Sequence, residues 1–209
     1  MADDLPTGRT GPLRPRGKED FDAMYVGTPP WDIGRPQPVF AALADAGAWQ
    51  GKVLDAGCGT GEHTLLAAER GLDATGVDLA GAAIAAAEAK GRDRGLSARF
   101  LVWDALDLAG LGEQFDTVLD CGLFHVFEDT DRAAFLDSLR AAVRPGGRYF
   151  MLCFSDRQPG DWGPRRITEA EIRAGFADGW RIDALERSTV EITLDPAGAQ
   201  AWLVSMTRT

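Results

Sequence analysis

Histidine and cysteine are scarce in this chain of 209 residues, which contains two histidines and three cysteines. The cysteines are Cys58, Cys121 and Cys153, and no two of them form a CxxC pair. Their odd number, in a chain with no visible export signal, argues against a disulfide framework. Since only His63 and His125 are available to join them, a Cys/His metal cage is not expected, and the sequence predicts no metal ion in the functional site.

Long hydrophobic runs are also missing. No uninterrupted apolar stretch approaches the roughly 18 residues that a membrane-spanning helix needs. The N-terminal segment MADDLPTGRTGPLRPRGKED lacks the apolar core of a secretory signal. We therefore expect a cytoplasmic protein with no membrane partner, and the length favours one domain or one domain with an extended end.

Positive charge is in short supply. The chain has 22 lysines and arginines against 32 aspartates and glutamates, a formal net charge of −10. Four of the basic residues lie within the first eighteen positions, so the rest of the chain is more acidic still. An acidic body repels a polyphosphate backbone, which argues against a nucleic-acid partner and favours a small neutral or cationic ligand.

The segment before the first strand has two parts. Residues 1–18 contain three prolines and three glycines with almost no large apolar side chain, so we predict a disordered arm. The apolar residues from Phe21 to Tyr25 repeat at helical spacing and predict a short helix. Four prolines predict a rigid irregular loop over residues 27–38, after which a helical pattern resumes through about Trp49.

Beyond residue 50 the sequence alternates between short apolar runs and helix-like runs of ten to fifteen residues. This alternation predicts βαβ units, and the near-continuous apolar character of the runs predicts strands that are covered on both faces. The expected fold is therefore α/β, with a doubly wound and mostly parallel sheet. The predicted strands are KVLDAG, DATGVDL, ARFLVWDA, FDTVLDCGLF and RYFMLCF, followed by two more candidates, ALERSTVEITL and AWLVSMTR.

Three aspartates follow one another at the ends of the first three predicted strands. Asp55 precedes the glycine-rich turn GCGTG, Asp78 ends the second strand and Asp104 ends the third. In an open parallel sheet these ends border the ligand crevice. Asp78 is placed to accept bonds from a ribose diol, whereas Asp55 would repel a diphosphate at the turn. A glycine turn alone is weak evidence for a ligand site, and each of these acids taken singly is equally typical of a helix cap. The three acids together favour an adenosine with a cationic tail, such as S-adenosylmethionine.

Five stretches, VLDAGCGTGEHT, GVDLA, LVWDA, FDTVLDCGLFHVF and LRAAVRPGGRYFML, resemble the successive motifs of class I S-adenosylmethionine-dependent methyltransferases. The resemblance covers about residues 50–155 and implies a seven-stranded Rossmann-like methyltransferase domain over residues 50–209. It also implies a complete set of cofactor contacts. These are Gly57 and Gly59 under the methionine part, Asp55 near its amino group, Asp78 with Leu79 at the ribose, Asp104 with the Ala105 amide at the adenine, and Cys121 beside the sulfonium.

The stretch YVGTPPWDIGRPQPVF is similar to the segment before the first motif in thiopurine and halide/thiol methyltransferases. It is closer to an actinobacterial group that methylates hydroxyquinolones and related quinones. The resemblance implies that residues 19–49 cap the cofactor, with Trp31 near the methionine tail and Tyr25 closing the site on the substrate side. An aromatic ring there would cover a sulfonium by a cation–π contact. Alternatively, Trp31 fills the edge of the core.

Methyl transfer is an in-line displacement in which alignment and exclusion of water are the main requirements. A base is needed only when the acceptor must lose a proton. His125, which follows the fourth strand, is the candidate base; alternatively it is a histidine satisfied by backbone bonds. Phe124, Phe127 and Trp162 are the candidate walls of an aromatic substrate pocket, and the alternative for each of them is a place in the core.

The leading hypothesis is transfer of a methyl group to oxygen, nitrogen or sulfur of a small heteroaromatic acceptor. If that acceptor is an anion, Arg157, Arg165 and Arg166 are candidates for the rim of its pocket. The first alternative is a halide or thiol methyltransferase. From other classes, a nicotinamide-dependent oxidoreductase or a non-catalytic cofactor-binding protein stays open, although the oxidoreductase would need a GxGxxG turn. The sequence leaves the acceptor and the oligomeric state undetermined.

Overall fold

The structure is a computed structural model that describes residues 18–209. The arm predicted over residues 1–18 lies outside the described residues, apart from Lys18, which begins the first helix. The described helices are α1 (Lys18–Met24), α2 (Pro38–Asp45), α3 (Glu62–Glu69), α4 (Gly81–Arg94), α5 (Asp129–Ala142) and α6 (Glu169–Gly175). Two 3-10 helices, Ala105–Leu111 and Phe124–Val126, complete the helical part.

Seven strands form one sheet in the described part of the chain. They are β1 (Lys52–Ala56), β2 (Asp73–Asp78), β3 (Arg99–Val102), β4 (Phe115–Cys121), β5 (Val143–Phe154), β6 (Trp180–Ile192) and β7 (Asp195–Arg208). Their order is β3-β2-β1-β4-β5-β7-β6. Strands β1 to β5 pair in parallel, and β7 pairs antiparallel with both β5 and β6. The predicted fold class is confirmed.

The strand order reverses between β1 and β4, which both pair centrally in the sheet. In a doubly wound fold the crevice outside the carboxyl ends of the strands at this reversal is where ligands bind. The turns that follow β1 and β4 are therefore the parts of the chain that shape the site.

Alternate residues of the central strands supply the two faces of the core. On β5, Tyr149 and Met151 pack on the face covered by α5 and α6, whereas Phe150 and Leu152 pack on the opposite face. All four side chains are fully buried, as expected of a strand covered on both sides. The frame that positions the site is thus held by apolar contacts on both faces.

Helix α2 is shorter than predicted, because it ends at Asp45 and not near Trp49. Gly47 has a φ of +69°, the left-handed conformation that commonly ends a helix. Ala48 donates to the carbonyl of Leu43 at 2.9 Å, which completes the turn. Trp49 is then free to leave the helix and pack edge-to-face against Phe40, with 6.2 Å between ring centroids.

None of the helices described here has the length and apolar character required to cross a bilayer.

Candidate active site

The turn after β1 brings the predicted glycine loop against two other elements. Gly59 has a φ of +52° and Gly61 a φ of +84°. A β-carbon on Gly61 would lie 2.8 Å from the Ala87 side chain of α4, so this glycine allows α3 to approach α4 closely. A β-carbon on Gly59 would lie 2.8 Å from the Tyr25 hydroxyl. Gly57 faces Leu123 from the turn after β4.

Asp55 is buried at the end of β1 and has one oxygen without a partner. Its Oδ2 accepts from the amide of Thr64 at 3.1 Å and from the Thr64 hydroxyl at 2.7 Å. Within residues 18–209 its Oδ1 has no hydrogen-bond partner. Burial raises the pKa of this carboxyl to about 7. Because a buried unpartnered anionic oxygen is costly, this position suits a cationic donor and would repel a diphosphate.

Asp78 and Asp104 occupy the corresponding ends of β2 and β3. Asp78 accepts from the amide of Gly59 and from the amide of Ala80, both at 2.8 Å, and burial raises its pKa. It therefore holds the glycine loop next to the start of α4. Asp104 is exposed and caps the following 3-10 helix by accepting from Leu106 N at 2.9 Å.

The two residues next to these acids were also expected at the cofactor. Leu79 follows Asp78 and is partly exposed, whereas Ala105 follows Asp104 and is buried. The structure thus places all the strand-end residues expected at the ribose and the adenine along one edge of the sheet. An adenosine with a cationic tail fits these acceptors, because the three acids follow neighbouring strands and the unpartnered oxygen of Asp55 lies at the β1 end of the row, next to β4.

Residues 19–49, the predicted capping segment, contact this edge. Tyr25 and Trp31 pack edge-to-face with 6.4 Å between centroids, and the indole Nε1 donates to the Tyr25 hydroxyl at 3.1 Å. Asp32 accepts from the Thr60 hydroxyl of the glycine loop at 2.9 Å. Trp31 is 40% exposed, so it is not a plug in the core.

The far end of the capping segment is fastened to β6 and α3. The side chain of Gln37 both donates to and accepts from the backbone of Glu191, at 2.9 and 2.8 Å. The Gln37 amide donates to Nε2 of His63 at 3.0 Å, and Thr193 N donates to the Pro30 carbonyl at 2.8 Å. His63 is therefore a buried anchor for this loop.

The turn after β4 is organised by Asp120, which the sequence motifs did not single out. Asp120 is fully buried and accepts from the amides of Leu123 and Phe124 and from the Tyr149 hydroxyl, the last at 2.7 Å. Burial raises its pKa to about 6. A lone acid inside the apolar run VLDC is the signal that could have indicated it.

His125 lies between the carboxyl ends of β4 and β5 and is 7% exposed. Its Nδ1 accepts from the amide of Phe154 at 2.9 Å, and the two rings meet edge-to-face at 5.1 Å. Burial and the charge of Arg166 lower the pKa of the imidazole to about 3. The neutral ring therefore carries its proton on Nε2, an arrangement that argues against the general-base role.

Cys121 and the candidate pocket aromatics lie around the same turn. Cys121 ends β4, is partly exposed and has a thiol pKa raised by burial and by nearby Asp55 and Asp120. Trp162 is 38% exposed and packs edge-to-face on Phe154, with 5.8 Å between centroids. An aromatic surface of His125, Phe154 and Trp162 thus borders the ends of β4 and β5.

Phe124 and Phe127 pack on Phe135 of α5. Phe124 is fully buried and packs on Phe135 and Phe176, and Phe127 packs on Phe135 with 4.9 Å between centroids. Phe124 lies in the core under α5, whereas Phe127 is partly buried and packs against the border of that core. The expected place of Phe124 in a pocket wall is therefore corrected to a packing role, and that of Phe127 stays a prediction.

A family model described as a methyltransferase domain matches residues 53–147. The 2-heptyl-1-hydroxyquinolin-4(1H)-one methyltransferase of Mycobacteroides abscessus is 37% identical over 174 residues, which cover 78% of this chain and 77% of that protein. The chain belongs to the S-adenosylmethionine-dependent methyltransferases. This membership excludes the oxidoreductase alternative.

Two solved structures are similar to this methyltransferase. The structure that concerns the conversion of a disulfide bond into a thioacetal group during echinomycin biosynthesis is 41% identical, covers 91% of this chain and 92% of that chain, and has a TM-score of 0.83. The magnesium protoporphyrin IX methyltransferase of Synechocystis with bound S-adenosylmethionine is 23% identical, covers 82% of this chain and 76% of that chain, and has a TM-score of 0.65, which shows a shared fold.

The candidate rim arginines of this methyltransferase are engaged by the protein itself. Arg166 donates to the Trp162 carbonyl at 2.8 Å and also to the carbonyls of Gln158, Gly160 and Pro164. Arg157 donates to the Ala201 carbonyl, and Arg165 pairs with Asp129 and Glu171. These contacts order the loop between β5 and α6. They also engage the three arginines that were expected to bind an anion at the rim of the pocket.

Proposed function

We propose that this methyltransferase transfers a methyl group to oxygen, nitrogen or sulfur of a small heteroaromatic acceptor, and that the acceptor binds at the carboxyl ends of β4 and β5. The observation that carries this proposal is a group of three rings beside the end of β4, in which Trp162 is 38% exposed and packs on Phe154, while Phe154 and His125 are buried behind it. Aromatic rings favour offset or edge-to-face contacts with a planar ligand. The hydroxyquinolone acceptor of the relative from Mycobacteroides abscessus supports the same substrate class.

The cofactor supplies a methyl group that is activated by its positive sulfur. In our proposal the unpartnered Oδ1 of Asp55 accepts from the methionine amino group. Asp78 and Leu79 border the ribose, while Asp104 and the Ala105 amide border the adenine. The backbone of Gly57 and Gly59 borders the methionine part, and Cys121 lies beside the sulfonium.

Residues 19–49 act in this proposal as the cap over the cofactor. Trp31 and Tyr25 form one aromatic pair, and Asp32 joins the pair to the glycine loop through Thr60. A cap of this kind excludes water and restricts the approach of the acceptor to the line of transfer.

The three cysteines are free, which suits a reducing compartment such as the cytoplasm.

A sulfur acceptor is a second candidate, because one of the similar structures described above concerns disulfide and thioacetal chemistry. The exposed ring of Trp162 would contact an aromatic thiol as well as an aromatic hydroxyl compound. Halide and simple thiol acceptors need no aromatic surface, so this surface favours the heteroaromatic class over them.

The test is a mass-spectrometric screen with cofactor labelled in its methyl group. The panel contains hydroxyquinolines, hydroxyquinolones, aromatic thiols, a simple alkyl thiol and iodide. We expect label on a heteroaromatic member and little on iodide. Label on iodide or the alkyl thiol alone would reject the proposed acceptor class, and cofactor binding without transfer to any member would favour a binding protein.

A further inference from the structure

We propose that His125 serves this reaction as a hydrogen-bond donor through Nε2–H and not as a base, so that the acceptor reaches the site already ionised or intrinsically nucleophilic. This inference rests on the proposed function, because it concerns the acceptor at the same aromatic surface. It also narrows the substrate class to acidic hydroxyls, thiols and ring nitrogens with a free lone pair.

The first step of the argument is the geometry at Nδ1. Strand β4 ends at Cys121, whose last register partner in β5 is Leu152. The amide of Phe154 therefore extends beyond the end of β4 on that side, and Nδ1 of His125 accepts from it at 2.9 Å. A buried amide without a partner is costly, so Nδ1 is committed as an acceptor and the ring proton resides on Nε2.

The second step concerns the charge of the ring. His125 is 7% exposed and faces Phe154 of β5 and the guanidinium of Arg166 from the following loop. Both the burial and this positive charge disfavour an imidazolium, and they keep the pKa near 3. A ring that stays neutral at all ordinary pH values cannot hold a proton taken from an acceptor.

The third step is access to Nε2. A β-carbon on Gly122 would lie 3.4 Å from this nitrogen, so the glycine leaves that side of the ring uncovered. Among residues 18–209, Nε2 of His125 makes no hydrogen bond to another side chain, and it is not one of the fully buried polar atoms that lack a partner. The Nε2–H therefore remains available to an acceptor next to the end of β4.

The chemistry balances without a proton transfer. A lone pair of the acceptor anion forms the new bond to the methyl carbon, and the carbon–sulfur bond breaks with its electron pair going to sulfur. The anion and the sulfonium thus give two neutral groups. A donor at Nε2 holds the anion in line, which is a contribution of position.

The tautomer can be tested without any acceptor, by long-range 15N–1H NMR of the labelled protein. The chain has only two histidines, and the His63→Gln variant identifies the remaining signals. We expect His125 as the Nε2–H tautomer, with no titration between pH 5 and 9. A midpoint between 6 and 7, or an Nδ1–H tautomer, would overturn the proposal.

The kinetic test uses hydroxyquinolines whose substituents spread the hydroxyl pKa over several units. With the cofactor held at saturation at every pH, we expect the rising limb of kcat/KM for the acceptor to move with the pKa of each acceptor. One midpoint common to all acceptors would indicate a protein base and reject the proposal. If none of the acceptors is methylated, the proposed function fails, while the NMR experiment still decides the tautomer.

The His125→Asn variant, measured with two kinds of acceptor, separates the loss of the Nε2–H hydrogen bond from a loss of folding. Asparagine at position 125 retains an acceptor oxygen near the place of Nδ1 and has no group at the place of Nε2. We expect His125→Asn to lower kcat/KM for hydroxyl acceptors by about tenfold to a hundredfold, and by less than about threefold for a neutral ring nitrogen. Equal losses for both acceptors would show a purely structural role.

Discussion

The Tyr25 hydroxyl lies 2.8 Å from the point that a β-carbon on Gly59 would occupy. The capping segment therefore contacts the glycine loop at a position where a side chain would collide with it. Since the φ of Gly59 is +52°, Gly59→Ala adds both backbone strain of about 1 to 2 kcal/mol and a collision. We expect lower stability in urea unfolding and weaker cofactor binding in calorimetry.

Gly71→Ala is the matched control for this change, because Gly71 has a φ of +76° and a β-carbon there would meet no atom within 4 Å. It measures the backbone strain alone. The double variant Gly59→Ala with Tyr25→Phe removes the collision and is expected to recover part of the loss. If Gly59→Ala costs no more than Gly71→Ala, the contact with Tyr25 has no energetic weight.

Asp55→Asn tests the unpartnered oxygen. The pKa of Asp55 is about 7 in the fold against 3.8 as its ordinary value, so its ionisation destabilises the fold, and this contribution to stability is lost as pH rises from about 4 to about 7 and is constant above that. Without cofactor we therefore expect the variant to be as stable as the parent at pH 8, or more so. We expect its affinity for cofactor to fall by about tenfold or more.

Asp73→Asn provides the control, since Asp73 is exposed at the other end of β2. That change is expected to leave both stability and affinity within experimental error. A variant at Asp55 that loses stability at pH 8 while binding cofactor normally would contradict the proposed role.

The pH dependence of cofactor binding follows from the same carboxyl. Below about pH 7, Asp55 is mostly protonated in the free protein, and a cationic ligand favours the ionised form. Affinity should rise with pH up to about 7 and then level off. Calorimetry at pH 6 in two buffers of different ionisation enthalpy should show a proton released on binding, and equal heats in both buffers would refute this.

Thr60→Val breaks the link between the glycine loop and the capping segment. The Thr60 hydroxyl donates to Asp32 and accepts from Lys90 at 2.7 Å. We expect faster dissociation of the cofactor, by about threefold to tenfold, with a small change in thermal stability. Thr130→Val, at an exposed position in the first turn of α5, is the control and should change neither the dissociation rate nor the thermal stability.

The sequence predicted the features that depend on local patterns and missed those made by distant partners. The three strand-end acids and the sheet follow from runs of a few residues. The role of Asp120 depends on Tyr149, and the state of His125 depends on the Phe154 amide, each 29 positions away. Whether Phe124 borders a pocket or the core likewise depends on α6, which its own neighbours in sequence do not indicate.

Tyr149→Phe tests the buried bond to Asp120. Removing the hydroxyl takes one donor from a fully buried carboxyl, which is expected to lower the free energy of unfolding by about 1 to 3 kcal/mol in urea. Tyr25→Phe, the other tyrosine, is the comparison and should cost well under half of that. Equal costs would mean that the Asp120 carboxyl finds another donor.

Gln37 also joins the capping segment to the edge of the sheet. Strand β6 is the last strand of the sheet, and the Gln37 side chain bonds both the N–H and the C=O of Glu191 as a neighbouring strand would. Bare strand edges recruit other chains. The segment that we propose to cap the cofactor therefore also covers the edge strand of the sheet. A truncation that removes it is expected to cause aggregation as well as weaker cofactor binding.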